Sequence, residues 1–141
     1  MNKIKSFEID HNIMQKGFYC LGEMHNVYTY DMRFKIPNGG EYLDIAGLHS
    51  IEHLFATVIR NSDIAKDVIY FGPMGCRTGC YLLLWNIEKE QAKKIAIDCL
   101  EKCLTFDTVP GAEKIECGNY LEHNLDEAKK EIANYLKVLK N

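Results

Sequence analysis

The residues of this chain best suited to chemistry are His49-Ser50-Ile51-Glu52-His53. On a helix, two imidazoles four positions apart project from one face one turn apart, so they can close on a single metal ion. Glu52 stands beside them, where a carboxylate can move protons on whatever the ion holds, and the string is the H-x-x-E-H pattern of catalytic metal sites. At roughly 100° per residue, Leu48, Ile51, Leu54, Phe55, Val58 and Ile59 gather on one side of such a helix. His49, His53, Ala56 and Arg60 fall nearly opposite. Packing therefore does not explain the histidines, and either they are a solvated helix face or a third ligand joins them.

Cysteine is the natural place to look for that ligand. Cys99 and Cys103 stand four apart, but both lie on the apolar stripe of a second helical pattern, where a free thiol behaves as a small core residue. Cys80 opens an apolar run and Cys20 has no nearby partner, so neither receives a role. Cys117 precedes Gly118 in the polar stretch 116–123, which has no apolar period. It is either a surface thiol or a soft ligand suited to a borderline metal held by two imidazoles, leaving the fourth position open. Cys76 lies among Gly72, Gly75 and Gly79, where backbone can approach a ligand closely. A thiol with a reference pKa of about 8.5, lowered by a nearby cation, could act there as acid or base. His11, His25 and His123 are individually ambiguous.

The elements that must position these groups follow from period and punctuation. Alternation from Thr29 to Ile36 reads as a half-buried strand with Arg33 on its polar face, ending at the turn Pro37-Asn38-Gly39-Gly40. The motif helix covers about Ala46 to Asn61. Apolar runs Val68 to Phe71 and Cys80 to Trp85 read as strands around the glycine-rich loop 72–79. A helix is expected from about Glu88. Another begins near Asn124, a plausible cap with Glu127 three residues on. Hairpin-length connections then imply an α+β sandwich, helices on a mostly antiparallel sheet.

A chain of 141 residues suits one domain spanning 1–141. Its net charge of −3, with basic residues scattered among acids, indicates neither a nucleic-acid nor a membrane partner and suits a small polar substrate. The start has two lysines but no apolar stretch after them, so a cytoplasmic location is expected, with its six cysteines reduced.

Ser6-Phe7-Glu8-Ile9-Asp10-His11, Arg33-Phe34 with Pro37-Asn38, His49 through Ala56, Pro73-Met74-Gly75-Cys76-Arg77-Thr78-Gly79, and Cys117-Gly118 followed by His123 occur in the order seen in the S-ribosylhomocysteine lyase, or LuxS, family. The chain resembles that family over nearly its whole length. The resemblance implies one divalent metal per chain on His49, His53 and Cys117, typically iron(II) and replaceable by zinc or cobalt. It implies Glu52 and Cys76 as the acid/base pair. Ser6, His11 and Arg33 match positions that contact substrate, contributed across the interface of a homodimer. The family reaction cleaves S-ribosylhomocysteine to homocysteine and 4,5-dihydroxy-2,3-pentanedione, the autoinducer-2 precursor of quorum sensing.

The chain also departs from the pattern. Tyr70-Phe71-Gly72 stands where the family often has Asp-Ile-Ser, and Lys35 where a cysteine is common. Two rival readings remain. H-x-x-E-H also marks pitrilysin-type zinc peptidases, with a downstream glutamate, here Glu127, as third ligand. A metal-binding protein without catalysis would use the same ligands and turn nothing over.

Overall fold

The computed structural model describes residues 1–141. Along the chain it has α1 (Lys5–Glu8), β1 (Gly17–Met24), β2 (Val27–Arg33), α2 (Ile45–Ile59), a single 3-10 turn at Ala65–Asp67, β3 (Val68–Pro73), β4 (Gly79–Trp85), α3 (Lys89–Cys103) and α4 (Leu125–Lys140). The strands form one antiparallel sheet in the order β1-β2-β4-β3. The three long helices pack on one face of it, giving the expected α+β architecture.

α2 begins where Asp44 accepts the Gly47 N–H at 2.8 Å, satisfying one of the amides a helix leaves unpaired at its start. It buries the expected stripe of Leu48, Ile51, Leu54, Phe55, Val58 and Ile59. α4 starts as its sequence predicts: the Asn124 side chain accepts the Glu127 N–H at 3.0 Å. Tyr30, Met32, Leu82 and Leu84 on the inner face of the sheet meet Ala96 and Leu100 of α3 and Ile132 and Tyr135 of α4 in one core. Cys99 and Cys103 lie in it too, and burial pushes their thiols up to about 11 and about 12. They are neutral packing groups.

Three features differ from the sequence reading, each for a physical reason. β1 carries no clean alternation because its pairing with β2 slips between Cys20 and Gly22. Such a bulge moves every later side chain to the other face. The turn that joins the two strands uses His25 and Asn26 at φ 53° and 65°, so His25 is a turn residue and no ligand.

β2 stops at Arg33 and not at Ile36. Phe34 and Lys35 both give their N–H groups to the Thr78 carbonyl at 2.9 Å, and the chain leaves the ladder there. Lys35, the position of the uncommon lysine, instead forms an ion pair with Glu131 of α4 at 2.7 Å.

The third difference concerns the polar face of β2, which alternation alone does not bury. Asp31 and Arg33 are 0% and 2% exposed. Ser6, Phe7 and His11 of the N-terminal segment and the loop after β3 wall the space above Arg33. The Arg33 guanidinium holds Asp31 through two bonds, Nε to Oδ1 at 3.1 Å and Nη2 to Oδ2 at 2.6 Å. Burial pushes the Asp31 carboxyl up while the guanidinium pulls it back down.

Removing one partner of such a pair leaves a buried charge without its counter-ion. Asp31→Ala should therefore cost about 3 kcal/mol or more in urea unfolding, and the double variant Asp31→Leu/Arg33→Met should cost less than Asp31→Ala alone. A double variant less stable than the single one would show that the pair itself stabilises the fold.

Candidate active site

The polar side of α2 faces the segment between α3 and α4, which wraps across the helix and brings its own donors. His49, His53, Cys117 and His123 offer ligand atoms that all lie within 4.8 Å of one another. Cys117 Sγ stands 3.5 Å from His49 Nε2, 3.9 Å from His53 Nε2 and 3.6 Å from His123 Nε2. Bonds of about 2.0–2.3 Å at tetrahedral angles put neighbouring ligand atoms about 3.5 Å apart, so this spacing fits a single ion.

The rings are aimed by their outer nitrogens. His49 Nδ1 meets the Glu122 carbonyl at 2.8 Å, and His53 Nδ1 meets the Pro110 carbonyl at 2.9 Å. A carbonyl only accepts, so both Nδ1 atoms carry hydrogen and both Nε2 lone pairs turn inward. The chain must pass close to do this. Gly111 adopts φ +69°, and a Cβ there would sit 3.2 Å from His53 Nδ1. Cys117 is placed by a tight turn in which its N–H and that of Glu116 both reach the Glu113 carbonyl, at 3.1 and 2.8 Å.

His123 joins the cluster although its sequence gave no reason to choose it over His11 or His25. Its ring stacks on His49 with centroids 3.8 Å apart, and burial, then the two neighbouring imidazoles, hold it below the usual histidine value. The available signal was its place six residues after Cys117 and directly before the cap of α4. Nothing in the sequence pointed to Pro110 or Glu122, which act through backbone.

The other candidate residues divide between two cavities that share the loop Pro73–Thr78. Glu52 is half-buried and lines a shallow groove with His49, Pro73, Met74 and Gly75. On the far side of the loop, Cys76 opens into a cavity of about 440 Å³ whose walls include Ser6, His11 and Arg33. One chain thus gathers all three substrate candidates around Cys76. Both Glu52 and Cys76 lie near enough to the buried Cys80 to push its thiol up, after burial itself.

The loop's shape follows from its residues. Arg77 at φ 61° makes the turn, and Arg77 N–H closes on the Met74 carbonyl at 3.0 Å. A Cβ on Gly79 would collide with the Met32 carbonyl, so β4 can approach β2 only with glycine there. Thr78 then links the buried pair to the thiol. Its Oγ1 accepts from Arg33 Nη1 at 2.8 Å and lies 3.1 Å from Cys76 Sγ, so its own hydrogen is free to be donated to the sulfur. Arg33 is therefore largely occupied by Asp31 and Thr78.

Two rival features settle differently. The Glu127 carboxylate lies outside the cluster, bonded to Lys130 at 3.2 Å, so it is not the third ligand a pitrilysin-type site would need. At the departing tripeptide, half-exposed Tyr70 folds its ring over Gly72, where any Cβ would collide with the phenol oxygen. The two departures are one steric unit.

The geometry agrees with what comparison of the whole sequence shows. Residues 4–141 match the family described as S-ribosylhomocysteinase (LuxS). A protein of Borreliella afzelii named S-ribosylhomocysteine lyase is 43% identical over 148 residues, covering 100% of this chain and 94% of its own. Proteins of the same name from Finegoldia magna and Phocaeicola vulgatus are 39% and 42% identical, covering 100% and 96% of this chain and 94% and 89% of their own. The chain belongs to the S-ribosylhomocysteinase (LuxS) family.

Proposed function

We propose that the chain is an S-ribosylhomocysteine lyase, releasing homocysteine and 4,5-dihydroxy-2,3-pentanedione. The observation that carries this reading is the convergence of His49, His53 and Cys117 on one point, with Glu52 in the adjoining groove and Cys76 on the loop between the two cavities. Names carried by full-length relatives agree with it.

Two imidazoles and a thiolate would hold a divalent ion, iron(II) in our reading with zinc or cobalt as substitutes. Bound there, such an ion supplies Lewis acidity, polarising carbonyl and hydroxyl oxygens of the open-chain ribose so that its α-protons become acidic. The protein's own groups do the rest. Glu52 takes and returns protons on the groove side. Cys76 does so from the cavity side, oriented by Thr78, which Arg33 and Asp31 fix in turn.

Moving the carbonyl from carbon 1 to carbon 3 needs only such transfers. Loss of the carbon 4 proton then expels the sulfur from carbon 5 by β-elimination. Atoms and electrons balance without any redox step.

Ser6 and His11 would hold the remainder of the substrate from the N-terminal segment. The change at Tyr70 and Gly72 would act on recognition of the amino-acid end, raising KM more than it lowers kcat. The active form is proposed as a homodimer. The outer face of the sheet supports this: Leu21, Met24, Tyr70 and Leu83 line a hollow there that only the short α1 edges, through Lys5 and Ser6.

Cys117→Ala should leave the purified protein with little bound metal. Full occupancy with unchanged affinity would remove Cys117 from the site. Glu52→Gln and Cys76→Ala should each retain metal while free-thiol release from S-ribosylhomocysteine drops on the order of 10²-fold or more. Near-normal turnover in either variant would show its role to be misassigned. Metal-loaded native protein that releases no thiol at all would favour the reading of a metal-binding protein without catalysis.

A further inference from the structure

Four side chains reach the ligand cluster, but their outer hydrogen bonds are not of one kind. His49 and His53 lean on carbonyls, which fix hydrogen on Nδ1 and leave Nε2 bare. His123 leans on Ser50, its Nδ1 3.1 Å from the hydroxyl oxygen. A hydroxyl can either give or take, so the tautomer depends on what else Ser50 does.

Ser50 is fully buried, and its Oγ already accepts the Asn124 N–H at 2.8 Å. Its single hydrogen has one acceptor in reach, Nδ1 of His123. With hydrogen on that nitrogen instead, the buried hydroxyl would keep an unbonded hydrogen, the costlier arrangement. Ser50 therefore donates, Nδ1 accepts, and the hydrogen of the neutral ring sits on Nε2, the atom 3.6 Å from Cys117 Sγ.

We propose that His123 is the N–H donor of this site and not its fourth ligand, held in that tautomer by Ser50 so that the fourth position stays open. The inference rests on the lyase reading for its purpose, since a substrate oxygen needs that position. A nitrogen bearing hydrogen has no lone pair in the ring plane with which to coordinate. Donation to the Cys117 sulfur also fixes the direction in which that sulfur presents its remaining lone pairs, which supports it as a ligand. The stacking of His123 on His49, with centroids 3.8 Å apart, fixes the plane of its ring. His123 acts through Cys117 and is thus a positioning residue.

The test reads the proton directly. In ¹⁵N-labelled, zinc-loaded native protein, long-range ¹H–¹⁵N correlation should show His123 protonated at Nε2 and bare at Nδ1, the reverse of His49 and His53. A metal-shifted Nε2 with hydrogen on Nδ1 would overturn the proposal. Chelator competition provides a second measure. His123→Gln, which keeps an amide N–H, should stay within about tenfold of native zinc affinity, and His123→Ala should lose roughly 10–100-fold, as for groups that support a ligand. A loss in His123→Gln as large as in His53→Ala would make His123 a ligand. Ser50→Ala frees Nδ1, and His123 should then turn its bare nitrogen to the zinc and tighten zinc binding. An unchanged tautomer in that variant would show that Ser50 is not the lock. None of these readouts uses turnover, so they stand or fall apart from the lyase assignment.

Discussion

Two backbone carbonyls that hold two imidazoles set the geometry on which the rest of the site depends. Glu122 and Pro110 belong to a segment with no regular structure, yet each accepts the Nδ1 hydrogen of a histidine on α2. A free imidazole rotates about two bonds and exchanges its hydrogen between nitrogens. One that is anchored presents a lone pair in a fixed direction, which an ion needs before a third ligand can complete it. The segment can stay close because Gly111 and the turn from Glu113 to Cys117 let it bend without side-chain obstruction. In this way α2 does two jobs at once: its apolar side anchors the core, and its polar side presents two members of the cluster that could hold a metal ion.

The Pro73–Thr78 loop provides the second constraint. It divides the groove of Glu52 from the cavity of Cys76, so the carboxylate and the thiol stand on opposite sides of one loop. Its form depends on contacts at both ends. Gly79 lets β4 lie against β2, and Thr78 receives both the Arg33 guanidinium and the amides of Phe34 and Lys35. A buried ion pair thus stands behind a thiol that is itself exposed.

What was legible in the sequence was whatever depends on near neighbours along the chain. The α2 stripe, the Asn124 cap and the core placement of Cys99 and Cys103 all follow from a helical period. Helical spacing paired His49 with His53 for the same reason, while Cys117 stood open between a surface thiol and a third ligand and was named as a ligand only by the family resemblance. Features set by contacts between distant segments were not legible. Alternation placed Arg33 only on a polar face, because nothing local announces that Phe7 and His11 fold over it. β1 hid behind a bulge whose register only β2 defines. His123 looked like any solitary histidine, since its partners Ser50 and Cys117 meet it only after α2 and the following segment have docked.

The ring of Tyr70 lies over Gly72, and a side chain at 72 would occupy the same space. The two positions therefore form a small steric lock on one face of β3. A side chain placed at 72 while Tyr70 remains must push the phenol ring off its seat and out from the sheet. Shortening residue 70 first removes that obstacle. The two positions can thus be exchanged freely only in one order, residue 70 before residue 72.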